Sequence, residues 1–155
     1  MPSAARAAFR KLHESGCFVI PNPWDAGTAR YLRRLGFKAL ATTSSGFAFT
    51  LGRLDGRVTL DEVAEHVRTL DRATALPVST DLENGYGPEP EDAARAIERA
   101  AEAGAVGGSI EDYDPAGHLD ERAHAVERVT AAVEAARRLP VRFMLVARAE
   151  NHIRD

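Results

Sequence analysis

A glycine set between an amphipathic helix pattern and a short apolar run recurs along this chain, and that alternation limits the possible folds more than any other feature. It occurs at Leu35-Gly36-Phe37-Lys38 and again at Ala103-Gly104-Ala105-Val106. The apolar runs at 18–20, 38–42, 77–80, 105–110 and 142–147 read as five strands. Strands this short and this continuously apolar are buried on both faces, as parallel strands are. Each is separated from the next by a connection long enough for a crossover helix.

The helices carry their own start and stop signals. Ser3 can cap a first helix with Ala5, Ala8, Phe9 and Leu12 on one face, ended by Gly16. Asp25 can cap a second through Ala29, Leu32 and Leu35, stopped by Gly36. Thr59-Leu60-Asp61-Glu62 forms a capping box that opens a helix with Leu60, Val63, Ala64, Val67 and Leu70 at helical spacing. Pro90 suits the first turn of another helix, with Glu91 and Asp92 beside its positive end and Ala93, Ala94, Ile97 and Ala101 inward. A last helix is expected over about 120–139, with Val126, Val129, Val133 and Ala136 inward. Residues 43–57, with three glycines, read as loop.

Repeated βα units fit either a doubly wound α/β sheet or a (β/α)8 TIM barrel. No G-x-G-x-x-G fingerprint follows the first strand, which weakens the dinucleotide-binding alternative. Acids at the ends of successive strands favour the barrel, whose sites gather at that face. A complete barrel takes about 250 residues, and the 155 residues here supply only about the first five βα units. Residues 1–155 are therefore read as the N-terminal portion of a single barrel domain, a truncated form of a longer protein.

Composition removes several classes of function. A formal net charge of −3 leaves no basic footprint for nucleic acid. No run approaches the roughly 18 apolar residues of a membrane span, and residues 1–20 lack a signal-peptide core. The single cysteine, Cys17, rules out an internal disulfide and fits a reducing, cytoplasmic setting.

The segment Thr80-Asp81-Leu82-Glu83-Asn84-Gly85-Tyr86-Gly87 places two carboxylates where a strand breaks into glycines. Glu111 and Asp112 end the next strand, and Asp55 lies in a Gly-rich loop upstream. Strand alternation sends Glu111 and Asp112 opposite ways and favours Glu111 for the site, with Asp112 capping the next turn. Carboxylates without Cys or His suggest a hard cation of the magnesium kind. Helix caps or solvated loop acids are the simpler alternative for Asp81 and Glu83, and Asp is common in turns such as that of Asp55 for backbone reasons alone. His13 and His66 read as surface residues on helices, Trp24 as packing at the rim, and Tyr86 as shaping the acidic loop.

Several segments, in order, resemble the isocitrate lyase/phosphoenolpyruvate mutase superfamily, also called the phosphonopyruvate mutase-like family. They are Pro21-Asn22-Pro23-Trp24-Asp25-Ala26-Gly27, Thr42-Thr43-Ser44-Ser45-Gly46, Gly52-Arg53-Leu54-Asp55-Gly56, Asp81 to Gly87, Ser109-Ile110-Glu111-Asp112 and Val146-Ala147-Arg148-Ala149-Glu150. The resemblance implies a (β/α)8 barrel assembled as a homo-oligomer, usually a tetramer. It implies Mg2+ and a small anionic substrate, a 2-oxo acid, phosphonate or dicarboxylate, that passes through an enolpyruvate-like anion. Asp81 matches the carboxylate that touches the metal, and Asp55, Glu83 and Glu111 match acids that hold its water ligands. Ser45 and Gly46 match the loop whose amides take substrate carboxylate oxygens, and Arg148 matches the arginine that pairs with the anionic group.

The C–C lyases of that family carry a Lys-(Lys/Arg)-Cys-Gly-His loop after the fourth strand. Here that place reads Tyr113-Asp114-Pro115-Ala116-Gly117-His118, without Lys or Cys, so the isocitrate and methylisocitrate lyase acid is missing. His118 is a candidate for proton transfer in its stead. Alternatives to a lyase or phosphonomutase are a 2-oxo-acid hydrolase or decarboxylase of the same fold, and an inactive truncated form. Five strands without the rest of a barrel are also expected to leave Val106, Ile110, Leu145 and Val146 partly exposed.

Overall fold

The computed structural model describes residues 2–153, with the side chains of Pro2 and Ser3 outside the description, so the expected Ser3 cap falls outside the described residues. In chain order the elements are α1 (Pro2–Leu12), α2 (Ala26–Arg34), β1 (Leu40–Ala41), α3 (Ser44–Thr50), α4 (Leu60–Ala73) and β2 (Val78–Asp81). They continue with α5 (Pro90–Glu102), β3 (Gly107–Glu111), β4 (Tyr113–Asp114), β5 (His118–Leu119), α6 (Arg122–Arg138) and β6 (Met144–Arg148).

The main sheet is parallel throughout, in the order β1-β2-β3-β6. That order never reverses. Right-handed crossovers then place all the connecting helices on one face, and α4, α5 and α6 pack against one another in sequence. A doubly wound sheet needs a reversal in strand order to put helices on both faces. The arrangement is therefore the wall of a barrel, as expected. No helix among the described residues is long and apolar enough to cross a membrane.

The helix starts follow the sequence signals. Asp25 accepts the Thr28 amide at 2.7 Å, and Thr28 answers with its hydroxyl near the Asp25 amide at 3.1 Å. Thr59 and Glu62 close the second capping box, and each such cap stabilises its helix by about 1 kcal/mol. The core lies between the helices and the sheet, where Val63, Ala64, Val67, Ala93, Ala96, Ile97, Ala100 and Ile110 are buried. At the opposite end from the acids, Phe9 of α1 packs with Ala39 and Val106. Gly107 makes that close approach possible, because a Cβ there would stand 2.7 Å from the Met144 carbonyl oxygen and 3.0 Å from the Phe9 ring.

Five expectations need correction. Residues 18–20 join no ladder; Pro21 and Pro23 bring no amide donors, and the links from 21–22 to β1 are the Ala41 amide donating to the Pro21 carbonyl at 3.1 Å and the Asn22 side-chain amide donating to the Ala41 carbonyl at 3.1 Å. Residues 44–50 are helix, not loop, because Thr43 caps them and Ala48 is anchored in the core. The buried stripe of α6 is Arg128, Ala132 and Ala135, whereas Val126 is 58% exposed. His66 is buried, since its spacing from Val63, Val67 and Leu70 puts it on the apolar face of α4. Val106 and Ile110 are buried, and the exposure falls on Val146, on the outermost strand β6, which is 52% exposed.

Candidate active site

Parallel strands that end together present their last side chains to one opening. Asp81 ends β2, Glu111 ends β3 and Arg148 ends β6, and the ladder pairs Glu111 directly with Arg148. Asp55, Glu83, Glu111 and Arg148 line one cleft of about 360 Å³, together with Ser44, Asn84 and Tyr113. Asp81 and Arg148 also line an adjoining hollow of about 240 Å³ with Asn22, Thr42, Thr80 and Ser109.

Asp81 is held from both ends. Its amide donates to the Thr42 hydroxyl at 2.8 Å, and its carboxylate accepts the amides of Ser44 at 3.0 Å and Glu83 at 3.2 Å. Glu83 sits in left-handed backbone at φ 48°, and Tyr86 does so at φ 63°. Such a conformation in a side-chain-bearing residue costs on the order of 1 kcal/mol or more and marks a backbone held by its surroundings. The Tyr86 hydroxyl donates to Glu83 at 3.1 Å. The Asp55 carboxylate accepts the Gly56 amide at 3.1 Å, and that turn lies over the Glu83 carboxylate.

Arg148 faces three acids: Glu150 at 2.5 Å, Glu111 at 3.3 Å and Asp81 at 4.0 Å. Glu150 is almost fully buried. Asp112 does not enter the cleft lining; its carboxylate accepts the Glu150 amide at 2.8 Å and ties the end of β3 to the end of β6. Arg57 also lines the cleft. Burial pushes Glu83 up to about 7, opposed by the Tyr86 hydrogen bond and reinforced by Asp55 and Asp81. Burial also pushes Glu111 up to about 7, opposed by Arg148 and reinforced by Asp81, Glu150 and Glu83.

Ser45 and Gly46 lie in the first turn of α3, outside the lining of the acidic cleft, where Ser44 takes part instead. The Gly46 amide donates to the Thr43 hydroxyl at 3.3 Å as part of the helix cap. A Cβ on Gly46 would meet the Trp24 indole nitrogen at 2.5 Å, so the indole rests directly on bare backbone. His118 lies in the antiparallel β4–β5 hairpin that stands after β3.

Among the described residues, no three His, Cys, Asp or Glu side chains converge closely enough to ligate one ion directly. The donor set is nonetheless all hard oxygen, and burial, reinforced by the neighbouring acids, raises two of its carboxyls to about 7. That pattern fits a cation of the magnesium kind, which keeps several waters and takes one or two carboxylates directly.

The family described as phosphoenolpyruvate phosphomutase matches residues 9–155. The chain is 31% identical over 148 residues to 2-methylisocitrate lyase of Halalkalibacterium halodurans, across 92% of this chain and 49% of that protein. It is 36% identical over 142 residues to oxaloacetate decarboxylase of Rhodopseudomonas palustris strain TIE-1, across 85% and 49%. A crystal structure from Burkholderia cenocepacia J2315, described as a candidate lyase/mutase, superposes with a TM-score of 0.95 at 51% identity, covering 99% of this chain and 56% of that one. The chain thus spans about half the length of the curated relatives it matches.

Proposed function

The chain belongs to the phosphoenolpyruvate phosphomutase family, and from that premise we propose that residues 1–155 form the N-terminal portion of a single barrel domain that binds Mg2+ and a small 2-oxo acid, phosphonate or dicarboxylate. The whole enzyme would break or move a C–C or C–P bond through an enolpyruvate-like anion. One observation carries this reading: acids and an arginine from three neighbouring strand ends share one cleft, where burial, reinforced by the neighbouring acids, raises Glu83 and Glu111 to about 7.

Asp81 would hold the ion directly, while Asp55, Glu83 and Glu111 would hold its water ligands. The ion, when bound, would act as a Lewis acid on a 2-oxo oxygen. Arg148, a planar guanidinium at the cleft, suits the anionic end of such a substrate. Ser45 and Gly46 are proposed to offer backbone amides to a substrate carboxylate. His118, on the hairpin, is proposed as a candidate for proton transfer. We propose a homo-oligomer, a tetramer for the whole protein. A cytoplasmic setting is supported by the free, exposed thiol of Cys17.

Two relatives of this reading have specific support. The hairpin with neither Lys nor Cys favours a hydrolase or decarboxylase over the isocitrate lyase type. The exposed Val146 on β6 favours binding without turnover by these 155 residues alone.

Calorimetry with MgCl2 and oxalate, a planar mimic of pyruvate enolate, tests the proposal. Oxalate heat is expected only with Mg2+ present. Asp81→Ala should abolish Mg2+ binding, and Glu83→Gln and Glu111→Gln should weaken it. Unchanged Mg2+ affinity in Asp81→Ala overturns the assignment.

A further inference from the structure

We infer that Arg128, on α6 and outside the cleft lining, is a positioning residue that holds the backbone of the acidic turn and so fixes where Glu83 stands relative to Asp81. The inference rests on the cation reading above.

A buried guanidinium must find partners for its donors and its charge. Arg128 is 2% exposed, and its hydrogen-bonding nitrogens donate to the backbone carbonyls of Asn84, Gly87 and Pro88. Its Nε lies 3.3 Å from the Asp120 carboxylate. All three carbonyls belong to one turn, which begins at Glu83 and ends where α5 starts at Pro90. His124, one helical turn before Arg128, adds a ring-nitrogen contact to the Pro88 carbonyl at 2.8 Å. Helix α6 therefore grips the outer side of the turn, while Glu83 and Asn84 face the cleft on its inner side.

The turn needs such a grip. Glu83, Gly85 and Tyr86 all have left-handed backbone; the Gly85 amide donates to the Leu82 carbonyl at 2.7 Å and the Glu111 amide to the Glu83 carbonyl at 2.9 Å, which leaves the carbonyls of Asn84, Gly87 and Pro88 to Arg128. A planar guanidinium supplies several donors at fixed angles, which an ammonium does not. Asp120 also links Arg128 to the strand end beyond it, because its amide donates to the Asp112 carbonyl at 2.8 Å.

The test compares the wild-type chain with Arg128→Lys, which keeps the charge and loses the fork, and with Leu70→Ala, which destabilises a separate core cluster. Mn2+ affinity is measured by electron paramagnetic resonance, and backbone exchange over residues 82–88 by deuterium uptake. Arg128→Lys should weaken Mn2+ binding about tenfold or more, as removal of outer-shell partners does, with faster exchange confined to 82–88. Leu70→Ala should lower Tm and leave Mn2+ affinity unchanged. Wild-type Mn2+ affinity in Arg128→Lys overturns the inference while leaving the cation site intact. A wild-type chain that binds no Mn2+ overturns the cation reading and this role with it, even where exchange in the turn has quickened. If Arg128→Lys does not fold, His124→Ala carries the same test; unchanged exchange and affinity in that variant overturn the inference.

Discussion

Glu111 and Arg148 are partners twice over: the parallel ladder sets their Cα atoms side by side, and their side chains meet at 3.3 Å across the mouth of the acidic cleft. A cation at Asp81 and an incoming carboxylate would compete for this pair from opposite sides. Arg148→Met should leave Mg2+ binding in place and weaken oxalate binding about tenfold or more, the loss of one charge-assisted contact. Calorimetric titration of oxalate into the Mg2+-loaded variant reads this directly, and equal oxalate affinity would remove Arg148 from the substrate site.

His66 should make the fold acid-sensitive. Burial lowers it to about 4 from an ordinary 6.5, with Asp25 opposing the shift, while its ring stacks on Phe47 with centroids 4.1 Å apart. Between those values the unfolded chain binds a proton that the native one declines, so stability rises with pH in that window. The contribution is complete above pH 6.5 and is lost as pH falls towards 4, on the order of 3 kcal/mol at most. Urea unfolding from pH 4 to pH 7.5 should show a steeper acid loss in the wild type than in His66→Leu. Parallel curves would falsify the buried neutral imidazole.

Neither isocitrate nor methylisocitrate should be turned over above roughly 1 s⁻¹, an ordinary enzymatic rate, whether by this chain or by a longer form containing it. The β4–β5 hairpin occupies the place of the lyase loop and offers Tyr113, Asp114 and His118 where Lys and Cys would stand. Steady-state assay of glyoxylate and pyruvate release decides the matter.

The 155 residues alone should associate. Among the described residues β6 is an edge strand, Val146 and Val126 are more than half exposed, and an apolar groove of about 710 Å³ runs past Val126, Ile110, Leu119 and Val129. Open edges and apolar patches of this kind recruit partners. Light scattering should report a dimer or larger species, and a monodisperse monomer that melts cooperatively would show the open wall to be self-sufficient.

The parallel, one-directional wall was legible because it rests on short-range signals. Glycine stops, the Asp25 cap, the Thr59 capping box, Pro90 and the apolar runs each act over a few residues, and α2, α4 and α5 start where those signals stand. The strand-end acids were legible for the same reason, whereas Arg148 entered through the family resemblance. What escaped depended on tertiary context. Residues 44–50 contain Ser-Ser-Gly, poor helix formers, and become helical because Thr43 caps them and the core takes Ala48. Arg128 carries a surface residue's chemistry at a buried position, and only the turn it holds, some forty residues away in sequence, explains it. His66 could have been found, since it falls on the same helical stripe as Val63 and Val67.

The bare Cα of Gly46 beneath the Trp24 indole constrains how this sequence can drift. A methyl group at position 46 would collide with the indole and also with the Thr43 side chain, at 2.5 and 2.6 Å. Any larger residue there is therefore closed off while Trp24 remains. If Trp24 is first exchanged for a small residue, the half-exposed indole is lost at modest cost and position 46 partly opens. The two substitutions are tolerable in one order and damaging in the other, so a side chain at position 46 is expected only where position 24 has already lost its indole.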